Sequence, residues 1–381
     1  MLKIIHTGDL HLGAKFVSFG KNASLQRRAL LDSFKKIVDV AILEKAQLLL
    51  ISGDLFDSNF PSYETVNFVK SELKKLDEAR IFVAILPGTH DCLSNDSIYK
   101  RENFAEGLSH IYIFDDEKVV KKEYPEFNLS LYAQANTANK SKKNPLGFLS
   151  SFDLKNDSSK YKVAMAHGSV QIEGKSADDD WPIQLSDISK SGMDYIAFGH
   201  WHGAQDFSFG KTKAWYCGSP EITYKEGKGG LGQGYVMEVD LLDNVEVKQI
   251  KVSEKNVKEI SFDMGIFSDI DGLYKEIDKL ADKNTILVVE ILGMVDPSIF
   301  VDAKKIEEDF EDKFFSIKVK DNSSLKLEEI AERDYPEEMV IGQFIRSINE
   351  KISNAKDEEE KEILKDALQI GVAELEGKEV L

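Results

Sequence analysis

Five of the seven histidines in this chain stand in short motifs built from imidazole, carboxylate and glycine. They are Asp9-Leu10-His11, Gly53-Asp54-Leu55-Phe56-Asp57, Gly88-Thr89-His90-Asp91, Ala166-His167-Gly168 and Gly199-His200-Trp201-His202. Cutting a phosphodiester at neutral pH needs a hydroxide-like nucleophile and cancellation of charge on the phosphoryl oxygens, and two bound divalent ions can supply both. Imidazole and carboxylate donors suit manganese, iron or zinc. Singly the motifs say little: a lone histidine after a strand is more often structural, Gly-Asp is a turn signal, and Gly-His-x-His fits a surface loop. Their co-occurrence in this order, beginning at the very first strand, specifies a metal-dependent phosphoesterase site.

The elements that must deliver these side chains are apolar, strand-like runs, and nearly every motif falls at the C-terminal end of one. The runs are Leu2 to His6, Leu48 to Ser52, Ile81 to Leu86, Tyr161 to Ala166 and Tyr195 to Phe198. Strands alternating with helical segments imply a sheet built from βαβ units, whose sites lie in the crevice beyond the strands' carboxyl ends. Gly53, Gly88, Gly168 and Gly199 are expected to take backbone angles closed to residues with a Cβ, turning each strand sharply at the crevice. Residues two apart on an extended chain share a side, which predicts Asp9 near His11 and His200 near His202.

The pattern D-x-H, GD-x-x-D, G-x-HD, a lone His and GH-x-H resembles the calcineurin-like metallophosphoesterases over about the first 245 residues. Within them it is similar to the SbcD-type DNA repair exonucleases in Gly53-Asp54-Leu55-Phe56-Asp57-Ser58, Leu86-Pro87-Gly88, His90-Asp91, Phe198-Gly199-His200-Trp201-His202 and Tyr216-Cys217-Gly218-Ser219-Pro220. The resemblance implies an α/β fold, a metallophosphoesterase β-sandwich with flanking helices. It implies Asp9, His11 and His202 on one metal, His167 and His200 on the other, and Asp54 bridging them. His90 would stand over the leaving group, where an imidazole can donate a proton, and Asp91 would hold that ring. One position departs from the family: its metal-ligating Asn is Thr89 here. Three readings follow. Thr89 ligates through its hydroxyl, a water fills the gap, or the second site is weak; retained activity is expected.

At 381 residues the chain suffices for two or three domains. It passes directly into a strand without a secretory signal, and no apolar stretch approaches the ~20 residues that span a bilayer, so a cytoplasmic protein with no membrane contact is expected. Cys92 and Cys217 are too few and too far apart for a disulfide framework or a zinc pairing. The net charge of −18 is unevenly spread: residues 246–381 hold 34 acidic and 20 basic residues, whereas the first 245 hold 33 and 29. Bound ions would offset Asp9 and Asp54 further, so the first part permits DNA without demanding it. Candidate backbone contacts are Lys15, Lys21, Arg27, Arg28, Lys140, Lys142, Lys143, Lys211 and Lys213.

Helical spacing marks Ser24 to Ala46 and Ser62 to Leu76 as helices covering the sheet. Lys140 to Asn144 and Glu173 to Asp180 read as loops rimming the crevice, and Gly227 to Gly234 as a turn without the order of a P-loop. Three regions are expected: 1–245, the nuclease domain; 246–324, a small α+β capping domain opening with a strand at Val245 to Val252; and 325–381, an acidic helical tail. The tail carries one apolar stripe from Val340 to Ile352 and another from Ile363 to Ile370, which either pack on their own chain or dock on a partner, as SbcD-type subunits do with an SMC-like coiled-coil ATPase.

The function expected is thus a two-metal phosphodiesterase, a DNA exo- or endonuclease of double-strand-break repair, with two divalent ions, manganese first, and DNA and an SMC-like ATPase as partners. A homodimer through a helix such as Ser62 to Leu76 is left open. The alternatives are a phosphodiesterase on small nucleotide or lipid-linked substrates, and a catalytically weak DNA-binding scaffold.

Overall fold

The protein is described as a computed structural model covering residues 2–151, 154–172, 177–222, 234–295, 299, 301–325, 339–355 and 357–375. Along the first two thirds the elements are β1 (Leu2–Thr7), α1 (Ala23–Leu43), β2 (Leu48–Ser52), α2 (Tyr63–Glu78), β3 (Phe82–Leu86), α3 (Ile98–Arg101), β4 (Ile111–Ile113), β5 (Val120–Tyr124), β6 (Leu129–Ala133), β7 (Tyr161–His167), α4 (Leu185–Ser189), β8 (Tyr195–Gly199), β9 (Gln205–Asp206), β10 (Lys213–Tyr216), β11 (Tyr235–Leu241) and β12 (Glu246–Lys251).

Two six-stranded sheets result, ordered β12-β11-β1-β2-β3-β4 and β5-β6-β7-β8-β10-β9. β1 to β4 run parallel, as do β6, β7, β8 and β10; the first sheet is antiparallel at the β11–β12 edge alone, the second at both of its edges, β5 and β9. Alternation along the strands explains the layering. Val163 and Met165 of β7 and Tyr195 and Ala197 of β8 share one core with β1 to β3, whereas Ala164, Ala166, Ile196 and Phe198 face a second core containing Ile188 of α4. Helix α1 buries Leu30, Phe34, Ile37, Val38 and Ala41 in the larger core, at the spacing its sequence shows. Helix α2 starts where Ser62 caps it, its hydroxyl accepting the Thr65 N–H at 3.2 Å.

The strand expected to open a second domain does not do so. β12 pairs antiparallel with β11 from Asp240–Glu246 to Tyr235–Lys251, completing the edge of the first sheet, and the first compact unit runs to Asn256. A short turn after β11 leaves its free edge nearest, so the next extended segment pairs there. The second unit, Val257–Leu381, holds a three-stranded sheet of β13 (Asn256–Asp263), β14 (Asp282–Leu292) and β16 (Phe314–Asp321). Helices α5 (Ile270–Asp278) and α6 (Ala303–Phe310) supply Leu273, Ile277, Ile306 and Phe310 to its core; the short strands β15 (Met294–Val295) and β17 (Ser324–Leu325) pair separately. The described residues beyond 325 fall in this same unit. There α7 (Val340–Ser353) and α8 (Glu358–Leu375) pack on each other through Ile341, Ile345, Leu368 and Val372, leaving Val340, Ile363 and Ile370 exposed. Most of the turn Gly227 to Gly234, and residues 173–176 of the loop Glu173 to Asp180, lie outside the described residues. No described helix is long and apolar enough to cross a membrane.

The two sheets are joined by a polar contact. His6 of β1 is fully buried, its Nδ1 2.8 Å from the Tyr195 hydroxyl of β8. Burial drives this ring down to about 3, although the Phe198 carbonyl works the other way. Because the folded value lies below the ordinary 6.5, the unfolded chain takes up the proton first, so this contribution to stability is intact above that pH and is lost as pH falls toward 3. Between pH 7 and 5 the loss should reach about 2 kcal/mol. Chemical denaturation in chelator at both pH values should therefore show His6→Gln losing less stability on acidification than the unaltered chain; equal losses would remove His6 from the acid sensitivity.

Candidate metal centre

All five motifs meet at the carboxyl ends of β1, β2, β3, β7 and β8. Asp9 follows β1 and is tied to the next strand's end, its N–H donating to the Gly53 carbonyl, while the His11 N–H donates to the Asp54 carbonyl. Both oxygens of Asp9 accept the His200 N–H, at 2.9 and 3.0 Å. Asp54 Oδ1 accepts the His90 N–H at 2.8 Å, and its Oδ2 lies 3.2 Å from His167 Nε2 and 3.8 Å from His11 Nε2.

The unusual backbone belongs to the donors themselves. Asp9, His11, Asp54 and His200 have φ of 51°, 48°, 51° and 109°, a region that disfavours residues with a Cβ. Of the four glycines expected to turn the strands, Gly53 does so with φ of 93°. Gly88, Gly168 and Gly199 answer to crowding instead: a Cβ on Gly199 would stand 1.9 Å from the Ser52 carbonyl oxygen, and one on Gly88 2.3 Å from Asp54 Oδ1. His200 and His202, two residues apart, join different donor groups.

Those groups are Asp9, His11 and His202 in one, and Asp54, His167 and His200 in the other, each with ligand atoms within 4.8 Å of one another. In the first, His11 Nε2 faces His202 Nε2 across 3.1 Å, two ring nitrogens that need a proton or cation between them. In the second, His167 Nδ1 donates to the Ser52 carbonyl at 2.9 Å, which makes Nε2 the nitrogen that faces Asp54. The Thr89 hydroxyl completes this corner, 3.2 Å from Asp54 Oδ2 and 3.4 Å from His167 Nε2.

Charge balance tests whether divalent ions fit. Asp9 and Asp54 are fully buried or nearly so, and among the described residues neither is ion-paired to lysine or arginine. Burial lifts Asp9 to about 6 against the pull of His167. Asp54 is held well below the usual carboxylate range because His167, His11 and His90 outweigh the burial that would raise it. Burial also opposes charge on His167, but Asp54 and Asp9 overcome it and lift the ring to about 9. Two buried carboxylates thus demand positive charge at this spot, and the imidazoles beside them are the donors a divalent ion uses.

His90 and Asp91 do not form the expected pair. His90 Nδ1 donates to the Asp57 main-chain carbonyl at 3.0 Å, with the Asp57 carboxylate at 3.8 Å, and Asp57 also stands 3.5 Å from His11 Nδ1. Asp91, fully buried, accepts the Gly88 N–H at 2.7 Å, the Phe56 N–H at 3.1 Å and the Tyr99 hydroxyl at 2.7 Å. It shapes the loops carrying Asp54 and His90 and does not hold the ring. Adjacent residues on a turn point apart, so Asp91 goes inward while His90 stays half-buried at the crevice. Asp57, already visible in its motif, is the group that sequence reasoning passed over.

The sequence matches the calcineurin-like phosphoesterase family over residues 2–204, more than half of its length, and the chain belongs to that family. Among individual proteins it is 25% identical to the DNA double-strand break repair protein Mre11 of Sulfurisphaera tokodaii, across 95% of this chain and 92% of that one. It is 28% identical to the Mre11 of Saccharolobus solfataricus over 68% of each chain, and 24% identical to an SbcCD nuclease subunit of Staphylococcus epidermidis over 74% of this chain and 77% of the relative.

Replacing Asp91 tests its hold on the loops carrying Asp54 and His90. Asp91→Ala orphans two buried N–H groups and a buried hydroxyl, so urea denaturation should show a loss of roughly 3 kcal/mol or more. An unchanged midpoint would return Asp91 to the crevice.

Proposed function

We propose that this protein is a metal-dependent DNA nuclease of double-strand-break repair, hydrolysing phosphodiesters at a two-ion centre. The observation that carries the reading is Asp54, whose Oδ2 lies within 3.8 Å of a ring nitrogen in each donor group, which supports its serving both ions. Asp9, His11 and His202 would hold the first ion; His167 and His200, with Thr89 beside them, the second. Bound there, the ions would neutralise the phosphoryl oxygens and supply an activated water, and manganese is the proposed metal because imidazole and carboxylate suit it.

The chain's own residues supply the rest. With its Nδ1–H given to the Asp57 carbonyl, His90 keeps Nε2 free to act on the departing oxygen, donating a proton when the ring is charged. DNA as substrate is supported by the repair nucleases among the relatives and by cations at the surface: Lys15, Lys21, Arg27, Arg28, Lys142, Lys143 and Lys211 are exposed, where a phosphate backbone can meet them. Lys213 is half-buried, and Lys140 is paired with Asp179 at 3.4 Å. The exposed apolar side chains of α7 and α8 support docking on an SMC-like coiled-coil ATPase, and the company of repair nucleases supports a cytoplasmic setting.

Nuclease assays with manganese on single- and double-stranded DNA ends, beside aryl and cyclic phosphodiesters, test the reading. His90→Ala should keep both ions by elemental analysis while DNA cleavage falls on the order of 10²-fold or more. Metal content falling in step with rate would make His90 a ligand instead.

The Thr89 hydroxyl favours a second reading, a scaffold that binds DNA and cuts poorly. Thr89→Asn offers an amide oxygen one bond longer, so second-site occupancy at limiting manganese should rise, and rate with it where that site limits turnover. Lower activity at full metal content would mean that the crevice is built around threonine.

A further inference from the structure

Asp180 lies in none of the five motifs, yet its carboxylate is bonded to one of the ion-binding rings. Asp180 Oδ2 stands 2.8 Å from His200 Nε2 and accepts the Ser169 hydroxyl at 2.6 Å; Ser169 Oγ in turn accepts the Trp201 indole N–H at 3.1 Å. Trp201 is the residue between the two histidines of the last motif, so the chain of bonds leaves that motif and returns to it.

This carboxylate is built in. Ser169 N–H donates to the Asp180 carbonyl at 3.2 Å, and the Trp181 N–H donates to the Ser141 carbonyl at 2.9 Å. Trp181 is buried and gives its indole N–H to the Ala138 carbonyl at 3.1 Å. At the other end, Trp201 lies flat on Tyr216, rings 4.9 Å apart at 12°, and the Tyr216 hydroxyl donates to the Gly168 carbonyl at 2.6 Å. Asp180 is not among the donor atoms gathered with Asp54, His167 and His200; its carboxylate meets the His200 ring instead.

We propose that Asp180 is a positioning residue of the second ion site: it takes the His200 Nε2–H, so that Nδ1 is the nitrogen offered to an ion with Asp54 and His167, and Ser169 and Trp201 hold Asp180 in place. The proposal rests on the two-ion reading above. A neutral imidazole carries one N–H, and the carboxylate that accepts it fixes the tautomer, restrains the ring and strengthens the other nitrogen as a ligand. Losing such a partner typically costs 10–100-fold in metal affinity.

Two measurements on the full chain test this. With Zn2+ as a diamagnetic probe and 15N-labelled histidine, long-range 1H–15N spectra should show His200 protonated on Nε2, its resonances assigned by their loss in His200→Gln. Mn2+ titration should find two sites in the unaltered chain. Asp180→Ala should weaken one of them about 10–100-fold and spare the other, and Ser169→Ala should weaken the same one less. His200 protonated on Nδ1, or both ions bound by Asp180→Ala as tightly as by the unaltered chain, would overturn the proposal while leaving the two-ion reading intact. An unaltered chain that never takes a second ion would overturn both. The tautomer is read on unaltered protein, so it decides the question even where Asp180→Ala does not fold.

Discussion

Two carboxylates buried side by side are the constraint from which the rest of the site follows. Asp9 and Asp54 are withdrawn from water at the carboxyl ends of β1 and β2, and no lysine or arginine among the described residues is paired with them. Such charges are costly unless matched, and here the matching groups are histidines, His11 from the motif of Asp9 itself and the others from three further motifs. Protonated imidazoles and divalent ions are alternative ways to meet one electrostatic demand. The pull of Asp54 that lifts His167 to about 9 is the same pull that would retain a cation.

Holding that arrangement shapes the surrounding chain. Donors at the strand ends adopt left-handed backbone at Asp9, His11 and Asp54, and the strands approach so closely at Gly88 and Gly199 that a Cβ would collide with Asp54 or with the Ser52 carbonyl. Asp91 is spent entirely on the loops, satisfying donors from Gly88, Phe56 and Tyr99. Strain at the crevice is supported by two regular sheets whose parallel centres are packed on both faces.

The sequence made the scaffold and the donor set legible because both write themselves locally. Apolar runs at Leu48–Ser52 and Tyr195–Gly199 become strands, and the periodicity of Leu30, Phe34, Ile37 and Ala41 becomes the buried face of α1. What it hid depends on contacts between distant loops. Asp180 reaches His200 because the loop after β7 is bonded to the loop at Ser141, and no local spacing encodes that meeting. His90 takes its partner from Asp57, 33 residues earlier, although Asp91 is its neighbour in the chain. The strand at Glu246–Lys251 was legible as a strand but not as part of the first sheet, since pairing is decided by which edge lies free. In the tail, the stripes of α7 and α8 were visible, but their mutual packing through Ile345 and Leu368 is tertiary information.

The central claim is that Asp54 is shared by two ions. The EPR spectrum of the protein loaded with two equivalents of Mn2+ addresses it most directly, because a carboxylate bridge couples the two electron spins. A broadened multiline signal of a coupled pair is the expected result. A six-line spectrum of isolated Mn2+ at full loading would show that the ions share no ligand, and would contradict the account.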